Sequence, residues 1–224
     1  MSEPQAASEL FRAAYENRYT WDENFSGYSA DIQVQQGDEV YTGKIGINHD
    51  LTVEVSGIPD EEVKKGILNQ LNDVITHRKR TLPEQAHGKN RFTTGATDGT
   101  GAVEILVDGG VWSMPMGSNY KVRDRTICYV YQVMGEMTFV IDTHECLDTG
   151  AGYLPTRYDA VFRNSQTGDA IQSVEFDDTY SQIGDYYLIV SESAHPCRSA
   201  RRRTTGWASL DTIDTSADPH RSPR

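Results

Sequence analysis

The chain has 224 residues and a mass of 25.0 kDa, and its 33 acidic against 21 basic side chains give a net charge of −12 and a pI near 4.9. This charge excludes a general attraction to the phosphate backbone of nucleic acids, and no apolar run approaches the ~18 residues that span a bilayer. Three cysteines are too few for a disulfide framework. We therefore expect a cytoplasmic protein without a secretory signal that neither binds nucleic acid nor spans a membrane.

Two segments show the periodicity of amphipathic helices. Near residues 4–18, apolar side chains recur on one face, with Phe11 at its centre. The second segment begins at Asp60, whose carboxylate is suited to cap a helix, and its apolar stripe continues to Ile75 before basic residues follow. The spacing predicts a long, buried helix over roughly residues 61–80.

Alternating apolar and polar residues predict about nine strands, connected mainly as antiparallel hairpins. Met134-Gly135-Glu136-Met137 is typical of a two-residue hairpin, and Asn164–Asp169 of a longer one. The predicted strands cover residues 28–34, 40–47, 51–55, 101–108, 125–134, 137–146, 157–163, 170–176 and 185–190. We therefore predict an α+β fold: a curved, mostly antiparallel, half-barrel-like sheet that the long second helix covers, with an N-terminal helix in addition.

The composition changes at residue 195, beyond which the chain is rich in Ser, Thr, Pro and Arg and has no helix or strand period. We predict a single domain over residues 1–194 and a disordered tail over residues 195–224. A second interpretation makes Arg201–Arg203 a docking handle for an acidic partner or a membrane surface. Truncation after Ala194 is expected to leave the thermal stability nearly unchanged.

Two short patterns in the chain favour turns over catalytic motifs. Asp148-Thr149-Gly150 matches the loop of retroviral-type aspartic proteases, in which two copies of the Asp share one proton. The chain has no second copy of this triplet, so a turn is the better interpretation. The glycines between Gly95 and Gly101 fit no phosphate-binding or dinucleotide-binding fingerprint and also predict turns.

The candidate metal ligands are Cys128, His144 and Cys146, with His77 or His87 as possible additions. Pairing around the predicted hairpin at Gly135 places Cys128 on the sheet face opposite His144 and Cys146. No CxxC or HxxxH spacing occurs. We predict no metal site, no cofactor and no catalytic residue.

Aromatic residues are dense in the predicted sheet, with Tyr129 and Tyr131 among them. On a curved sheet, an aromatic lining with a few hydroxyl groups suits an apolar ligand with a polar end. Packing of the same rings against the two helices is the alternative. The predicted ligand-binding residues, near the end of the second helix and in the loops beyond it, are His77, Arg80, His87 and Tyr153.

Short sequence blocks recur in order along the body and carry a family resemblance. Among them are FRAAYENRYTWDENFSGYSAD (11–31), GIPDEEVKKGILNQLNDVITHRKR (57–80), DTGAGYLPTRY (148–158) and FDDTYSQIGDYYLIV (176–190). Together, over residues 11–192, they resemble an uncharacterised domain family of cyanobacteria and plastids. The resemblance implies a photosynthetic cell and a cytosolic or stromal location, but no assigned activity and no binding residue. The order of elements is also similar to the half-barrel of periplasmic lipoprotein carriers, an analogy of fold alone.

These features favour a non-enzymatic binding or assembly factor that holds an amphiphile, such as a lipid, isoprenoid or pigment, on the concave face of the sheet. One alternative is an enzyme with a cleft formed by His77, Arg80, His87 and Tyr153. Another is an acidic protein-interaction module without a ligand. The expected partner is therefore a small amphiphile or another protein, and the sequence leaves the oligomeric state open.

Overall fold

The computed structural model describes residues 3–108, 118–196 and 212–217, with residues 3–4 and 212–217 described as backbone only. The sequence predicts one domain over residues 1–194, whereas the chain forms two compact units. Of the described residues, unit 1 contains 3–19, 81–108, 118–175 and 196, and unit 2 contains 20–80, 176–195 and 212–217. Because the chain enters each unit more than once, no linker of distinct composition marks the division.

Twelve strands and three helices are present in the described residues. In chain order they are α1 (Glu3–Glu16), β1 (Gly27–Gln36), β2 (Glu39–Asn48), β3 (Val53–Ser56), α2 (Glu61–Arg78), α3 (Pro83–His87), β4 (Arg91–Thr97), β5 (Val103–Asp108), β6 (Ser118–Arg123), β7 (Thr126–Met134), β8 (Met137–Asp148), β9 (Tyr153–Asn164), β10 (Ala170–Ile183), β11 (Tyr186–Pro196) and β12 (Thr212–Ala217). The strand pairs with a defined register are all antiparallel, which confirms the predicted, mostly antiparallel sheet.

In unit 1, strands β4 to β9 lie side by side in chain order, and α1 packs on one of their faces. The buried side chains of α1 recur at the spacing i, i+4, i+7, which forms one stripe along the helix. This core consists of Ala7, Phe11, Ala14, Ile105, Val107, Tyr120 and Val122. Because side chains alternate along a strand, the residues between these core positions on β5 and β6 lie on the opposite face.

In unit 2 the strand order is β3-β2-β1-β12-β11-β10, with residues 176–183 of β10 belonging to this unit. Helix α2 begins after Asp60, whose carboxylate accepts hydrogen bonds from the backbone N–H groups of Glu62 and Val63, both at 2.9 Å. The predicted N-cap is therefore confirmed. The buried apolar stripe of α2 consists of Val63, Ile67, Leu71 and Ile75.

The predicted count of about nine strands is wrong, because three strands are short and carry few large apolar residues. Strand β4 has one large apolar residue, Phe92, and β6 has two, Tyr120 and Val122. Strand β12 has only Ile213. Pairing with neighbouring strands supplements these few apolar side chains in placing the segments in the fold.

A single long helix does not cover the sheet, contrary to the prediction. Helix α2 has 18 residues, so at a rise of 1.5 Å per residue it is about 27 Å long, roughly the width of six strands. It belongs to unit 2, while α1 packs in unit 1. Each unit therefore has its own helix.

The predicted tail begins inside an observed strand, since β11 extends to Pro196. Strand β12 also lies within residues 195–224, and it pairs with β1 from Ala30↔Ala217 to Gln35↔Thr212. Arg201–Arg203 and the rest of the predicted tail lie outside the described residues.

Candidate functional site

The four residues predicted to bind a ligand fall into two pairs. His87 and Tyr153 belong to unit 1, and His77 and Arg80 belong to unit 2. His77 is exposed in the last turn of α2, with its Nε2 3.7 Å from Oδ1 of Asp73. Arg80 is exposed just beyond the end of the same helix. Both members of the unit 2 pair are therefore surface side chains.

His87 packs among aromatic rings at the end of α3. Its ring centroid lies 4.9 Å from that of Phe11 and 5.0 Å from that of Tyr15, in edge-on contacts. Its Nδ1 lies 3.1 Å from Nδ2 of Asn90. Burial, with a further contribution from the positive charge of Arg18, lowers the pKa of His87 to about 4. The imidazole is therefore neutral at pH 7, and its contacts are those of a packing residue.

Tyr153 fixes the start of β9 against the segment that follows α1. Its carbonyl accepts a hydrogen bond from the N–H of Tyr19 at 3.0 Å, and its own N–H donates to the carbonyl of Asn17 at 2.9 Å. The preceding Gly152 has φ 143°, and a Cβ there would lie 2.7 Å from the Tyr19 nitrogen, so this approach requires glycine. The phenolic oxygen accepts from the N–H of Ile127 at 3.1 Å, and burial raises the pKa of Tyr153 to about 12. These contacts are structural.

Arg18 connects the two predicted residues of unit 1, and sequence reasoning did not assign it to a site. It forms a β-bridge with Tyr153, and its Nε donates to the carbonyl of Tyr15 at 3.0 Å. Its guanidinium carbon lies 3.7 Å from the centroid of the Tyr15 ring, a cation–π contact. The Arg18 charge contributes to the lowered pKa of His87 and offsets part of the rise that burial causes in the pKa of Tyr153. The only signal in the sequence is a basic residue at the end of an apolar stripe.

An open groove lies on the face of the unit 1 sheet that is turned away from α1. It has a volume of about 540 Å³ and is lined by Thr93, Leu106, Val107, Asp108, Ser118, Asn119, Tyr129 and Tyr131. Registered neighbours on β4 to β7 form a row of four of these residues, namely Thr93, Leu106, Asn119 and Tyr131. Leu106 is 43% exposed, so a large apolar side chain is accessible in the groove. We call this feature the β4–β7 groove.

One buried acceptor on this face has no hydrogen-bond partner among the described residues. Nδ2 of Asn119 donates a hydrogen bond to Oε1 of Glu104, while the buried Oδ1 of Asn119 has no hydrogen-bond partner in the part of the chain that the structure describes. The ammonium group of Lys121 is 2.9 Å from Oδ2 of Asp98 and 5.6 Å from the centroid of the Tyr129 ring. Lys121 is thus already paired with Asp98.

Unit 2 contains a buried charged cluster beside a small apolar cavity. Nη2 of Arg78 donates to the hydroxyl oxygen of Tyr180 at 2.9 Å, and that hydroxyl donates to Oδ2 of Asp178 at 3.3 Å. Burial, together with the charge of Asp178, raises the pKa of the neighbouring Glu192 well above its usual range. The cavity beside Glu192 measures about 20 Å³, which is room for about one water molecule. A lipid or pigment does not fit there.

The Asp148-Thr149-Gly150 segment forms a turn, as the sequence predicts. Oδ1 of Asp148 accepts a hydrogen bond from the N–H of Gly150 at 2.9 Å, and Oγ1 of Thr149 donates to the carbonyl of Gly152 at 2.8 Å. This bonding is local to the loop. It offers no arrangement in which two carboxyl groups share a proton.

Among the residues that the structure describes, no three His, Cys, Asp or Glu side chains converge on a possible metal position. Cys128 and Cys146 are free thiols. Bulges at Thr143/Glu145 and Glu145/Cys146 interrupt the alternation of β8, so strict register parity does not separate the two thiols as the sequence predicts. Cys197 lies outside the described residues.

These features define a protein of two antiparallel β units, each with its own helix, and with an open groove on unit 1. Residues 2–209 match the family described as Protein of unknown function (DUF3386), and the chain belongs to this family. The match confirms the resemblance to an uncharacterised domain family, while its cyanobacterial and plastid distribution stays a prediction. No curated protein and no solved structure matches the chain. In the described part of the chain, no helix is both long and apolar enough to cross a bilayer.

Proposed function

We propose that this protein is a non-catalytic binding protein that holds an amphiphilic small molecule, such as a lipid, isoprenoid or pigment, in the β4–β7 groove. The carrying observation is the groove itself: about 540 Å³ with Leu106, Tyr129 and Tyr131 in its lining. Small-molecule sites typically measure about 300–1,000 Å³ and combine an apolar lining with a few polar groups. The proposal also includes a cytoplasmic or stromal location in a photosynthetic cell, which the family resemblance implies. It further includes a half-barrel curvature of the sheet, which the order of elements suggests.

The proposal moves the ligand away from the residues that the sequence favours. Tyr153 is 7% exposed and its hydroxyl oxygen already accepts a backbone hydrogen bond. The half-buried ring of His87 is in edge-on contact with the rings of Phe11, Tyr15 and Phe92. Tyr153 is therefore not available to a ligand without a rearrangement of its own contacts, whereas Leu106 is 43% exposed.

The same contacts argue against the enzymatic alternative. A general acid or base needs a pKa near the working pH and a free path to the substrate. The pKa of His87 is lowered to about 4 and that of Tyr153 is raised to about 12, so both groups are neutral at pH 7 and exchange few protons. A non-catalytic binding role requires neither a pKa near the working pH nor access of these two residues to a substrate.

The test uses N-phenyl-1-naphthylamine, a neutral probe that fluoresces in apolar sites, with a matched pair of variants. Leu106 and Ile171 are both in unit 1 and are 43% and 41% exposed. Leu106→Glu should abolish the fluorescence enhancement seen with the wild type, because it places a charge in the apolar part of the groove. Ile171→Glu, which alters an equally exposed residue outside the groove lining, should leave it unchanged.

Two results would contradict the proposal: no enhancement with the wild-type protein, or the same enhancement with both variants. Far-ultraviolet circular dichroism of each variant checks that the fold is retained. Native mass spectrometry of protein purified from its own host adds a direct observation, since a bound hydrophobe should appear as a mass increment that organic extraction removes.

A further inference from the structure

The charges around the β4–β7 groove are unequal in sign. Among the described residues that line it, Asp108 is the only charged one. Glu104 lies four residues before it on the same face of β5. Asp142 of β8 is the registered neighbour of the lining residue Tyr129. The carboxylates on this face therefore make the potential at the groove negative.

The basic residues near the groove do not cancel this charge. Lys121, on the same face of β6, is held 2.9 Å from Oδ2 of Asp98. Arg91 is the registered neighbour of Asp108 on β4, but it is not part of the groove lining and the structure records no ion pair between them. An anionic head group in the groove would thus face the carboxylates of Asp108, Glu104 and Asp142, against which Arg91 supplies one positive charge from outside the lining.

Two further groups suit a positively charged, hydrogen-bonding head group. The unpartnered Oδ1 of Asn119 is an acceptor that an ammonium N–H satisfies. The faces of Tyr129 and Tyr131 attract cations, and the ammonium of Lys121 at 5.6 Å from the Tyr129 centroid shows that a cation is already accommodated beside this ring.

From this arrangement we infer that the β4–β7 groove selects amphiphiles with a cationic, ammonium-type head group over amphiphiles with an anionic one. The apolar body lies against Leu106 and the tyrosine rings, and the head group lies between Asp108 and Asn119. This inference rests on the proposed function, which it narrows to one class of ligand.

The experiment compares two amphiphiles with the same chain and opposite charge, dodecylammonium, whose head group carries N–H donors, and dodecyl sulfate. Each displaces N-phenyl-1-naphthylamine from the protein at low ionic strength and below its critical micelle concentration. The cationic compound should displace the probe at a concentration about fivefold lower or more, the effect of one charge pair at a few ångström near water. Added salt should reduce this preference.

A matched pair of variants locates the head group. Asp108→Asn should bring the two displacement concentrations together, each measured against the variant's own affinity for the probe. Asp169→Asn changes an exposed acid of the same unit in the turn between β9 and β10, and it should keep the preference.

The outcomes separate this inference from the proposed function. If the wild type does not bind the probe, the proposed function fails and the inference fails with it. If the probe binds but both amphiphiles displace it equally, the inference alone is wrong. A preference for dodecyl sulfate would also overturn it and would point to Arg91 as the head-group residue. A cationic preference that survives Asp108→Asn would overturn the assigned position of the head group.

Discussion

Removal of β12 should destabilise unit 2, although the sequence predicts that truncation of the tail has little effect. The β12 backbone lies between two strands: it pairs with β1 over six residue pairs, from Ala30↔Ala217 to Gln35↔Thr212. It also pairs with β11 at Ser191↔Asp214 and Glu192↔Ile213. Its loss would therefore expose the backbone groups of β1 along most of that strand, and such an edge also invites aggregation.

The size of the effect follows from the ladder. Six antiparallel residue pairs carry about six hydrogen bonds, and at the low end of about 0.5 kcal/mol net for each bond their loss costs roughly 3 kcal/mol. In a protein of this size that lowers Tm by roughly 6–12 °C. Even half of this decrease in Tm would distinguish a paired strand β12 from a solvated tail.

The assay is thermal unfolding, followed by circular dichroism, of three chains: full length, truncated after Pro196, and truncated after Ala217. The longer truncation retains β12 and is the matched control. Hydrogen exchange adds a local readout, because every second β1 amide between Ala30 and Gln35, those that donate to β12 rather than to β2, should lose protection only in the shorter chain. Equal Tm values for the two truncated chains would refute the reasoning and restore the prediction made from the sequence.

Two further predictions concern the α2 side of unit 2. Leu71→Ala should lower the free energy of unfolding in urea by about 2–5 kcal/mol, because Leu71 is 4% exposed and already borders a small cavity. Lys65→Ala, which changes an exposed residue of the same helix, should leave the urea midpoint unchanged. Equal midpoints for the two variants would contradict the packing of α2. The pKa of Glu192 is raised by burial and by Asp178, so the folded state binds a proton that the unfolded state releases near 4.5. Stability should fall as pH rises from 4.5 through the folded pKa, and Glu192→Gln should flatten this dependence; an unchanged pH profile would contradict it.

Local signals made part of the fold predictable. The cap at Asp60 and the stripe from Val63 to Ile75 define α2 because the helix period and its start lie in one continuous segment. The hairpin at Gly135 is equally local, with Gly135 at φ 61° and Met134 paired with Met137.

Strand β12 could not be predicted from such signals. Its sequence, TIDTSA, has one large apolar residue, and its partner β1 lies about 180 residues earlier in the chain. Pairing between segments so far apart depends on the tertiary fold, which composition and periodicity do not encode.

The candidate site was only half predictable. Tyr129 and Tyr131 stand out in the sequence as aromatic residues of a strand, but which face they share with Leu106 follows from the registers of β5 with β6 and of β6 with β7. His87 and Tyr153 are predicted as ligand-binding residues from their residue types. Only their contacts show that His87 packs against aromatic rings and that Tyr153 anchors the backbone.

The composition of strand β7 accounts for the apolar lining of the β4–β7 groove. An antiparallel strand with one wet face alternates apolar and polar residues, but TICYVYQVM places apolar or aromatic side chains on both faces. Ile127 and Val130 pack against the α1 core, while Tyr129 and Tyr131 point to the other side. Eight of the nine residues of β7 are only partly buried and none is fully buried. A strand of this composition suits a cover on each face, and since α1 supplies one, the groove is where a bound amphiphile would supply the other.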